Sequence, residues 1–246
     1  MRIAALYDVH GNLPALQAVL AELDGLAVDT ILIGGDVASG PMPAETLDLL
    51  RSRPEKVRFV RGNADRVRDL AGYAGTDPLW KPSRLWIAEQ LGAARLDFLD
   101  GLPLDVTLDI EGVGPVRFCH GAPGSDEETI TRVTPDGRLR GLLAGVEERV
   151  VVCGHTHIQF DRAVDGTRLV NAGSVGFPYE AEPAAYWLLL GPGLQHRRTD
   201  YDVDAAAELI LATDYPNRET YARDLTERDP ERPGRLSRLI EFGPDP

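Results

Sequence analysis

Residues 2–36 read RIAALYDVHGNLPALQAVLAELDGLAVDTILIGGD, and this stretch decides the fold. This stretch contains an apolar run, then a segment with helical periodicity, then a second apolar run. A helical segment and a third apolar run follow it in the chain. Apolar runs that alternate with helical segments are typical of strands and helices in turn. The five segments are 2–7, 12–24, 30–34, 43–52 and 57–60. The start of the chain therefore predicts a βαβαβ unit of an α/β protein.

Residues 64–100 interrupt this alternation. The string YAGTDPLWKP at 73–82 is typical of a loop, and 83–99 has the periodicity of one or two helices. We expect the segment to be an insertion into the domain, placed where it can cap a functional site.

The second half of the chain adds strands with short connections, which favour antiparallel hairpins. The predicted strands are 104–110, 115–119, 149–153, 158–164, 167–171, 184–190 and 194–199, and a short helix is predicted at about 136–144. Residues 203–228 look helical, and the charged, Pro-rich tail that follows is only weakly patterned. We therefore expect one domain over residues 1–246, with a helical and charged extension after about residue 200.

The bulk composition narrows the class of protein. A chain of 246 residues with 43% hydrophobic residues can bury a core of its own. The formal net charge of −13 argues against a protein that grips long nucleic acid, because such binding depends on many Lys and Arg contacts to phosphates. An anionic ligand would therefore need a locally positive site.

Two features predict a location in the cytoplasm. The two cysteines, Cys119 and Cys153, stand far apart in apolar runs, which is neither a zinc-knot spacing nor a disulfide framework. The apolar stretch at the start is too short for a signal-peptide core, and no run of about 18 apolar residues occurs that would span a membrane. We expect neither export nor membrane insertion.

Side chains able to bind metal follow the predicted strands. They are Asp8 and His10 after the first strand, Asp36 after the second, Asn63 after the third, His120 after the string FC, and His155 and His157 after VVCG. In open α/β sheets, ligands collect at the carboxyl ends of strands, so these side chains should converge at one edge although they are far apart in sequence. Any one of these motifs alone is more often a turn than part of a metal site. Five such motifs, all at strand ends, favour a metal site instead.

The donor set indicates the kind of metal. Carboxylate oxygen, imidazole nitrogen and one amide oxygen together suit Mn, Fe, Zn, Co or Ni, whereas an all-oxygen shell would suggest Mg or Ca. Two aspartates and three or four histidines exceed what one tetrahedral ion requires. An aspartate that bridges two ions about 3.5–4 Å apart would use them all, so we predict two divalent metal ions. Manganese is the ion to supply first, and the native metal stays open.

The motif set DVHGN, GGDV, GNAD, CHG and GHTH, in this order and spacing, resembles the calcineurin-like metallophosphoesterase family. The strings DVHGNLPALQAVL, VRGNADRV and NAGSVGFP are similar to those of its small prokaryotic phosphodiesterase branch, and the resemblance spans about residues 1–190. It implies a four-layer α/β/β/α sandwich of two mixed sheets flanked by helices. It also implies that Asp8, His10 and His157 hold one ion, that Asn63, His120 and His155 hold the other, and that Asp36 bridges them.

The resemblance implies hydrolysis of a phosphoester by in-line attack of a metal-bound hydroxide, while the two ions neutralise the phosphoryl oxygens. Asp36, Asn63 and His120 are then the catalytic residues, acting through that hydroxide. Water bound to a divalent ion can lose its proton near pH 7 instead of about 15.7, so the reaction requires no Ser or Cys nucleophile. The expected substrates are small phosphodiesters or nucleotide phosphates.

Ala64 departs from the family pattern. Many members carry a His directly after the Asn of the GN motif, where it is thought to protonate the leaving group or contact phosphate. General acid catalysis typically contributes about 10²–10⁴-fold, so its absence should handicap substrates with poor leaving groups. His196, the one histidine outside the motifs, stands beside Arg197 and Arg198 and is more often a solvated edge residue than a replacement acid.

Contacts to the substrate are predicted for Asn12, Asn63 and Arg66. Arg66 or Arg61 could hold a phosphate oxygen as a bidentate donor. Asp65 is placed in sequence to orient a metal ligand, or it is a turn aspartate; the sequence favours neither.

Other functions stay open at this point. A dinucleoside polyphosphate hydrolase or a phosphoprotein phosphatase would use the same dimetal site. A protein-binding scaffold on the same fold, like the retromer's metallophosphoesterase-like subunit, would not need intact histidines, and a structural single-metal site would need only about four ligands. The sequence indicates no oligomeric state.

Overall fold

The computed structural model describes residues 1–53, 56–69 and 79–244, and strands and helices alternate along this part of the chain. The strands are β1 (Ile3–Leu6), β2 (Thr30–Ile33), β3 (Lys56–Phe59), β4 (Asp105–Ile110), β5 (Gly114–Cys119), β6 (Val150–Cys153), β7 (Phe160–Val164), β8 (Thr167–Asn171), β9 (Ala185–Leu190) and β10 (Leu194–Thr199). The helices are α1 (Leu13–Asp24), α2 (Pro43–Arg51), α3 (Trp80–Asp100), α4 (Asp136–Leu142), α5 (Val203–Leu211), α6 (Arg218–Thr226) and α7 (Arg232–Phe242).

The strands form two five-stranded mixed sheets. The first has the order β10-β9-β1-β2-β3, in which β1, β2 and β3 are parallel and β9 and β10 are antiparallel. The second has the order β4-β5-β6-β8-β7, in which β5, β6 and β8 are parallel and the two edge strands are antiparallel. The predicted pair of mixed sheets is confirmed.

Alternate side chains of β1 show how the layers stack. Ala4 and Leu6 belong to the core between the first sheet and its helices, whereas Ile3 and Ala5 belong to the core between the two sheets. Successive side chains of a strand point to opposite faces, so one strand contributes to both cores. A third core packs the second sheet against α4. The four-layer α/β/β/α sandwich is therefore confirmed.

Each predicted strand corresponds to an observed strand within two residues at either end. The segment 203–228, which was predicted to be helical, contains two helices, α5 and α6. The loop predicted over 73–82 lies mostly outside the described residues, and its last part forms the first turn of α3. Helix α3 changes direction at Gly92, whose φ of 67° is left-handed, which agrees with one or two helices in this segment.

The weakly patterned tail contains helix α7. Long-range polar contacts hold this helix: the buried Glu241 carboxylate pairs with Arg138 at 2.9 Å and accepts a hydrogen bond from the Thr134 hydroxyl. Such contacts leave no periodic apolar signal in the sequence. Cys119 and Cys153 are buried free thiols within the third core, as expected for packed cysteines. Among the described residues, no helix has the length and apolar character needed to cross a membrane.

Candidate metal centre

The seven predicted ligands meet at the carboxyl ends of five strands. Asp8 and Asp36 follow β1 and β2, Asn63 follows β3, and His120 and His155 follow β5 and β6. Parallel strands end at a common edge, so residues that are far apart in the chain come together there. The predicted convergence is thus present in the structure, across both sheets.

Left-handed backbone turns aim these side chains inward. Among the described residues, six other than glycine have positive φ, and five of them are predicted ligands. They are Asp8 (53°), His10 (47°), Asp36 (52°), His155 (65°) and His157 (58°); the sixth is Asp165 (47°). This conformation is uncommon for residues with a Cβ and persists only where the surroundings enforce it. The left-handed backbone conformation therefore coincides with the predicted ligands.

Backbone hydrogen bonds hold the first two turns side by side. Beyond the last strand residues, the N–H groups of Asp8 and His10 donate to the carbonyls of Gly35 and Asp36 at 3.1 and 2.9 Å. Glycine allows the third turn to approach: a Cβ on Gly62 would lie 2.1 Å from the Asp36 carboxylate. The GN motif thus needs its glycine for a close backbone approach.

The first group of donor atoms comprises Asp8, His10 and His157. The Nε2 atoms of His10 and His157 are 3.1 Å apart, and Asp8 Oδ1 lies 3.3 Å from His157 Nε2 and 3.8 Å from His10 Nε2. Asp8 Oδ1 is buried and has no hydrogen-bond partner among the described residues. A buried carboxylate oxygen in this position requires a cation.

The second group comprises Asp36, His120 and His155. Nε2 of His120 lies 3.1 Å from His155 Nδ1, 3.2 Å from Asn63 Oδ1 and 3.5 Å from Asp36 Oδ2. Asp36 Oδ2 is also 3.5 Å from His10 Nε2, in the first group. The Asp36 carboxylate therefore stands between the two groups.

These separations fit metal ligands. Donors that each lie about 2.0–2.2 Å from one ion, at tetrahedral or octahedral angles, are roughly 3.0–3.6 Å from one another. Most of the donor distances within each group fall in or close to that range. Both groups are candidate metal-binding groups, and imidazole with carboxylate suits the transition metals named above.

Backbone carbonyls orient three of the histidines. The Nδ1 atoms of His10, His120 and His157 bond to the carbonyl oxygens of Ser39, Gly34 and Phe177 at 3.1, 2.9 and 2.5 Å. With Nδ1–H donating, the Nε2 of each neutral ring keeps a lone pair that faces the donor groups. His155 instead turns its Nδ1 toward His120.

The site is electrostatically suited to cations. Burial lowers the pKa of His120, but the carboxylates of Asp36 and Asp8 outweigh burial and raise it to about 10. Burial, with the neighbouring His120, lowers the pKa of His155 to about 4. Burial opposes ionisation of Asp36, yet its pKa is held far below the usual range by His120 and then His10. Protons and metal ions compete for the same atoms, so metal affinity should fall as the pH falls.

Asp65 supports the second turn instead of orienting an imidazole. Its carboxylate accepts backbone N–H bonds from Asp36 (2.8 Å), Val37 (2.9 Å) and Gly62 (2.9 Å). It is fully buried, and burial together with the Asp36 carboxylate raises its pKa to about 7, against those three donors. The residue therefore fixes the backbone that presents Asp36.

Two predicted substrate contacts have protein partners in the structure. Asn12 is completely buried, accepts the N–H of Ala15 at the start of α1, and donates to the Gly176 carbonyl. Arg66 pairs with Glu127 and lies 3.4 Å from Asp126. Asn63 is the member of the predicted set that lines the pocket beside the metal ligands.

Sequence reasoning missed the residues that complete the pocket. Tyr215, Thr220, Tyr221 and Asp224 come from α6 and the turn before it, and Tyr179 comes from the loop after β8. Apolar spacing in α6 indicates a buried face, but no pattern says which surface that face covers. His157 stacks on Tyr179, with ring centroids 4.8 Å apart.

A four-layer sandwich with two such donor groups at its strand ends defines a metal-dependent hydrolase of phosphoesters. The model of the calcineurin-like phosphoesterase superfamily domain matches residues 1–190, and the chain belongs to this family. The family binds divalent metals, and the two donor groups described above are candidate metal-binding groups in this chain.

Solved structures and curated proteins agree with this assignment. A metallophosphoesterase from Sphaerobacter thermophilus has 26% identity and a TM-score of 0.72, covering 92% of this chain and 98% of that one. The uncharacterized protein MJ0912 of Methanocaldococcus jannaschii is 28% identical over 236 residues, 87% of this chain and 93% of that protein. A symmetrical bis(5'-nucleosyl)-tetraphosphatase of Yersinia enterocolitica is 46% identical over 70 residues, but these are 28% of this chain and 24% of that enzyme.

Replacing Asp65 should destabilise the fold. Asp65→Ala leaves three buried N–H groups without an acceptor, which should lower the free energy of unfolding by about 3 kcal/mol or more, since each such group costs about 1–3 kcal/mol. Asp65→Asn keeps one acceptor oxygen and should cost less. Urea unfolding at pH 8, above the pKa of Asp65, measures both. Equal stability of Asp65→Ala and the unmodified chain would contradict this role.

Proposed function

We propose that the chain hydrolyses small phosphodiesters or nucleotide phosphates with two divalent metal ions. Asp36 would be shared by the two ions, and the remaining ligands would divide into two sets. These are Asp8, His10 and His157 on one side, and Asn63, His120 and His155 on the other. The observation that carries the proposal is the position of Asp36 Oδ2, 3.5 Å from a histidine nitrogen of each set.

The ions, when bound, supply a nucleophilic water at neutral pH and neutralise the phosphoryl oxygens. Asp8 and Asp36 provide the negative charge that retains them, and the carbonyl-bound histidines present their Nε2 atoms without reorganisation. Asn63 can donate its amide N–H to a phosphoryl oxygen, because its amide oxygen faces His120. Manganese is the first ion to test, ahead of Fe, Zn, Ni and Co.

We also place the chain in the cytoplasm. The buried thiols of Cys119 and Cys153 fit a reducing compartment. The intact ligand set favours an enzyme over a protein-binding scaffold. A dinucleoside polyphosphate hydrolase is the second candidate, favoured by the 70-residue match to the tetraphosphatase.

Substitution of the shared or central ligand should abolish turnover. After loading with manganese, Asp36→Asn and His120→Ala should lower kcat/KM on bis(4-nitrophenyl) phosphate by at least about 10³-fold, because electrostatic stabilisation of the transition state is lost. The matched control is His196→Ala, whose imidazole contacts the Asn171 carbonyl and does not line the pocket. Metal content per chain should be close to two before substitution. Two bound metals with no turnover on any phosphoester would refute the proposal.

The reaction should depend steeply on the leaving group. Ala64 lines the pocket beside Asn63, in the place where many family members carry a histidine, and its N–H donates to Asp36 Oδ1 at 2.8 Å. Without an acid there, alkyl esters should react far more slowly than 4-nitrophenyl esters. Ala64→His should accelerate the alkyl esters selectively, by up to about 10²-fold. An equal effect of Ala64→His on both classes of ester would argue against this explanation.

A further inference from the structure

A pocket of about 410 Å³ extends from the donor groups to the C-terminal part of the chain. Its volume lies within the range of about 300–1,000 Å³ that is usual for small-molecule sites. The metal-ligand end is formed by His10, Asp36, Asn63, His155 and His157. The rest of the lining includes Tyr215, Asn217, Thr220 and Asp224 from the C-terminal part of the chain, and Tyr179, whose ring stacks on His157. These residues are not among the predicted metal ligands.

Four aromatic side chains line this pocket as an aromatic wall: Tyr179, Phe177, Tyr221 and Tyr215, whose successive ring planes are tilted by 69°, 43° and 84°. The ring centroid of Phe177 is 5.7 Å from that of Tyr179 and 4.6 Å from that of Tyr221. Tyr221 is in turn 6.3 Å from Tyr215, which packs on Trp86 at 5.5 Å. A planar ring placed against the exposed parts of these side chains gains aromatic contact and apolar burial.

The aromatic wall is fixed to the metal-ligand turn. The Tyr221 hydroxyl contacts the carbonyl oxygens of His10 and Gly176 at 3.0 and 3.1 Å. These hydrogen bonds therefore fix the position of the aromatic wall relative to the place where a phosphate would meet the ions. A ligand that reaches both carries a phosphate joined to an organic group.

Charge restricts the rest of the ligand. Among the described residues, the pocket lining contains the carboxylates of Asp36 and Asp224 and no Lys or Arg. Arg223 pairs with Asp224 at 2.9 Å, but its side chain is 71% exposed and does not line the pocket. A phosphate beyond the first would lie against neutral or negative groups, which is unfavourable.

The neighbouring cavity does not change this balance. It shares Tyr179 and Asp224 with the pocket and contains two arginines. Arg232 lies 3.3 Å from Glu227, with its guanidinium 5.2 Å from the ring centroid of Tyr179, and Arg235 lies 2.7 Å from Asp229. Both guanidinium groups thus already have carboxylate partners.

We infer, on the basis of the proposed function, that this pocket binds an uncharged nucleoside-like group against the aromatic wall and selects esters of one phosphate over polyphosphates. Thr220 and Asp224 offer the polar atoms that sugar hydroxyls or base amino groups require. The ligand class is a nucleoside joined to a single metal-held phosphate, and a dinucleoside polyphosphate fits the charge less well.

Three substrates test the inference on the manganese-loaded full chain. Methyl 4-nitrophenyl phosphate and thymidine 5′-(4-nitrophenyl) phosphate release the same 4-nitrophenolate and differ only in the other group. The thymidine ester should have a kcat/KM about tenfold higher or more, mainly through a lower KM, since stacking on an aromatic side chain has this size. Diadenosine tetraphosphate is the polyphosphate whose kcat/KM, relative to the thymidine ester, is compared between the unmodified chain and its variants.

Single substitutions show which residues cause these substrate preferences. Tyr215→Leu should remove about tenfold of the preference for thymidine over methyl, whereas Tyr215→Phe, which keeps the ring, should retain it. Asp224→Asn should raise kcat/KM for diadenosine tetraphosphate relative to the thymidine ester. Glu208→Gln removes the same charge from an exposed position on α5 outside the pocket and should leave that ratio unchanged. Circular dichroism checks that Tyr215→Leu is folded, and Asp224→Asn tests the charge argument independently.

The possible results distinguish a failure of this inference from a failure of the proposed function. If neither the methyl ester nor any other phosphoester is hydrolysed, the proposed function itself fails. If the methyl ester is hydrolysed but the thymidine ester is no better, the inference alone is overturned. The same holds if the tetraphosphate is the better substrate and Asp224→Asn has no effect on its ratio to the thymidine ester.

Discussion

Two carboxylates at the centre of the molecule, Asp8 and Asp36, are almost entirely removed from water. Charge in such a place is costly unless a cation or several hydrogen bonds compensate it. The protein supplies one N–H to one oxygen of each carboxylate: His155 N–H to Asp8 and Ala64 N–H to Asp36. The second oxygen of each faces the histidines. The turns, glycines and carbonyls around the site all serve to keep that arrangement.

The backbone is strained at the residues that carry the donor atoms. Five ligands have left-handed φ values, a conformation that costs of order 1–3 kcal/mol each. Local contacts maintain it, including the Asp65 carboxylate beneath the Asp36 turn. Asn171 acts in the same way on the second sheet, since its amide donates to the Gly154 carbonyl at 2.7 Å. Strain of this kind is found where function requires a fixed geometry.

The sequence predicts the sandwich and the convergence well because both follow from patterns that a single chain displays. Apolar runs mark the strands, and Asp8, Asn63 and His155 follow them directly. The part of the pocket beyond the ligands could not be predicted, because Tyr221 reaches it through the packing of α6 against α5 beside the core of the first sheet. The role of Asp65 was equally hidden, since an acceptor of three backbone N–H groups and a turn aspartate look alike in sequence.

The most direct test of the dimetal centre is the anomalous scattering of a manganese-loaded crystal. The account predicts two peaks about 3.5–4 Å apart, with Asp36 in contact with both. One peak should lie beside Asp8, His10 and His157, and the other beside Asn63, His120 and His155. A single peak, or peaks away from these residues at saturating manganese, would contradict it.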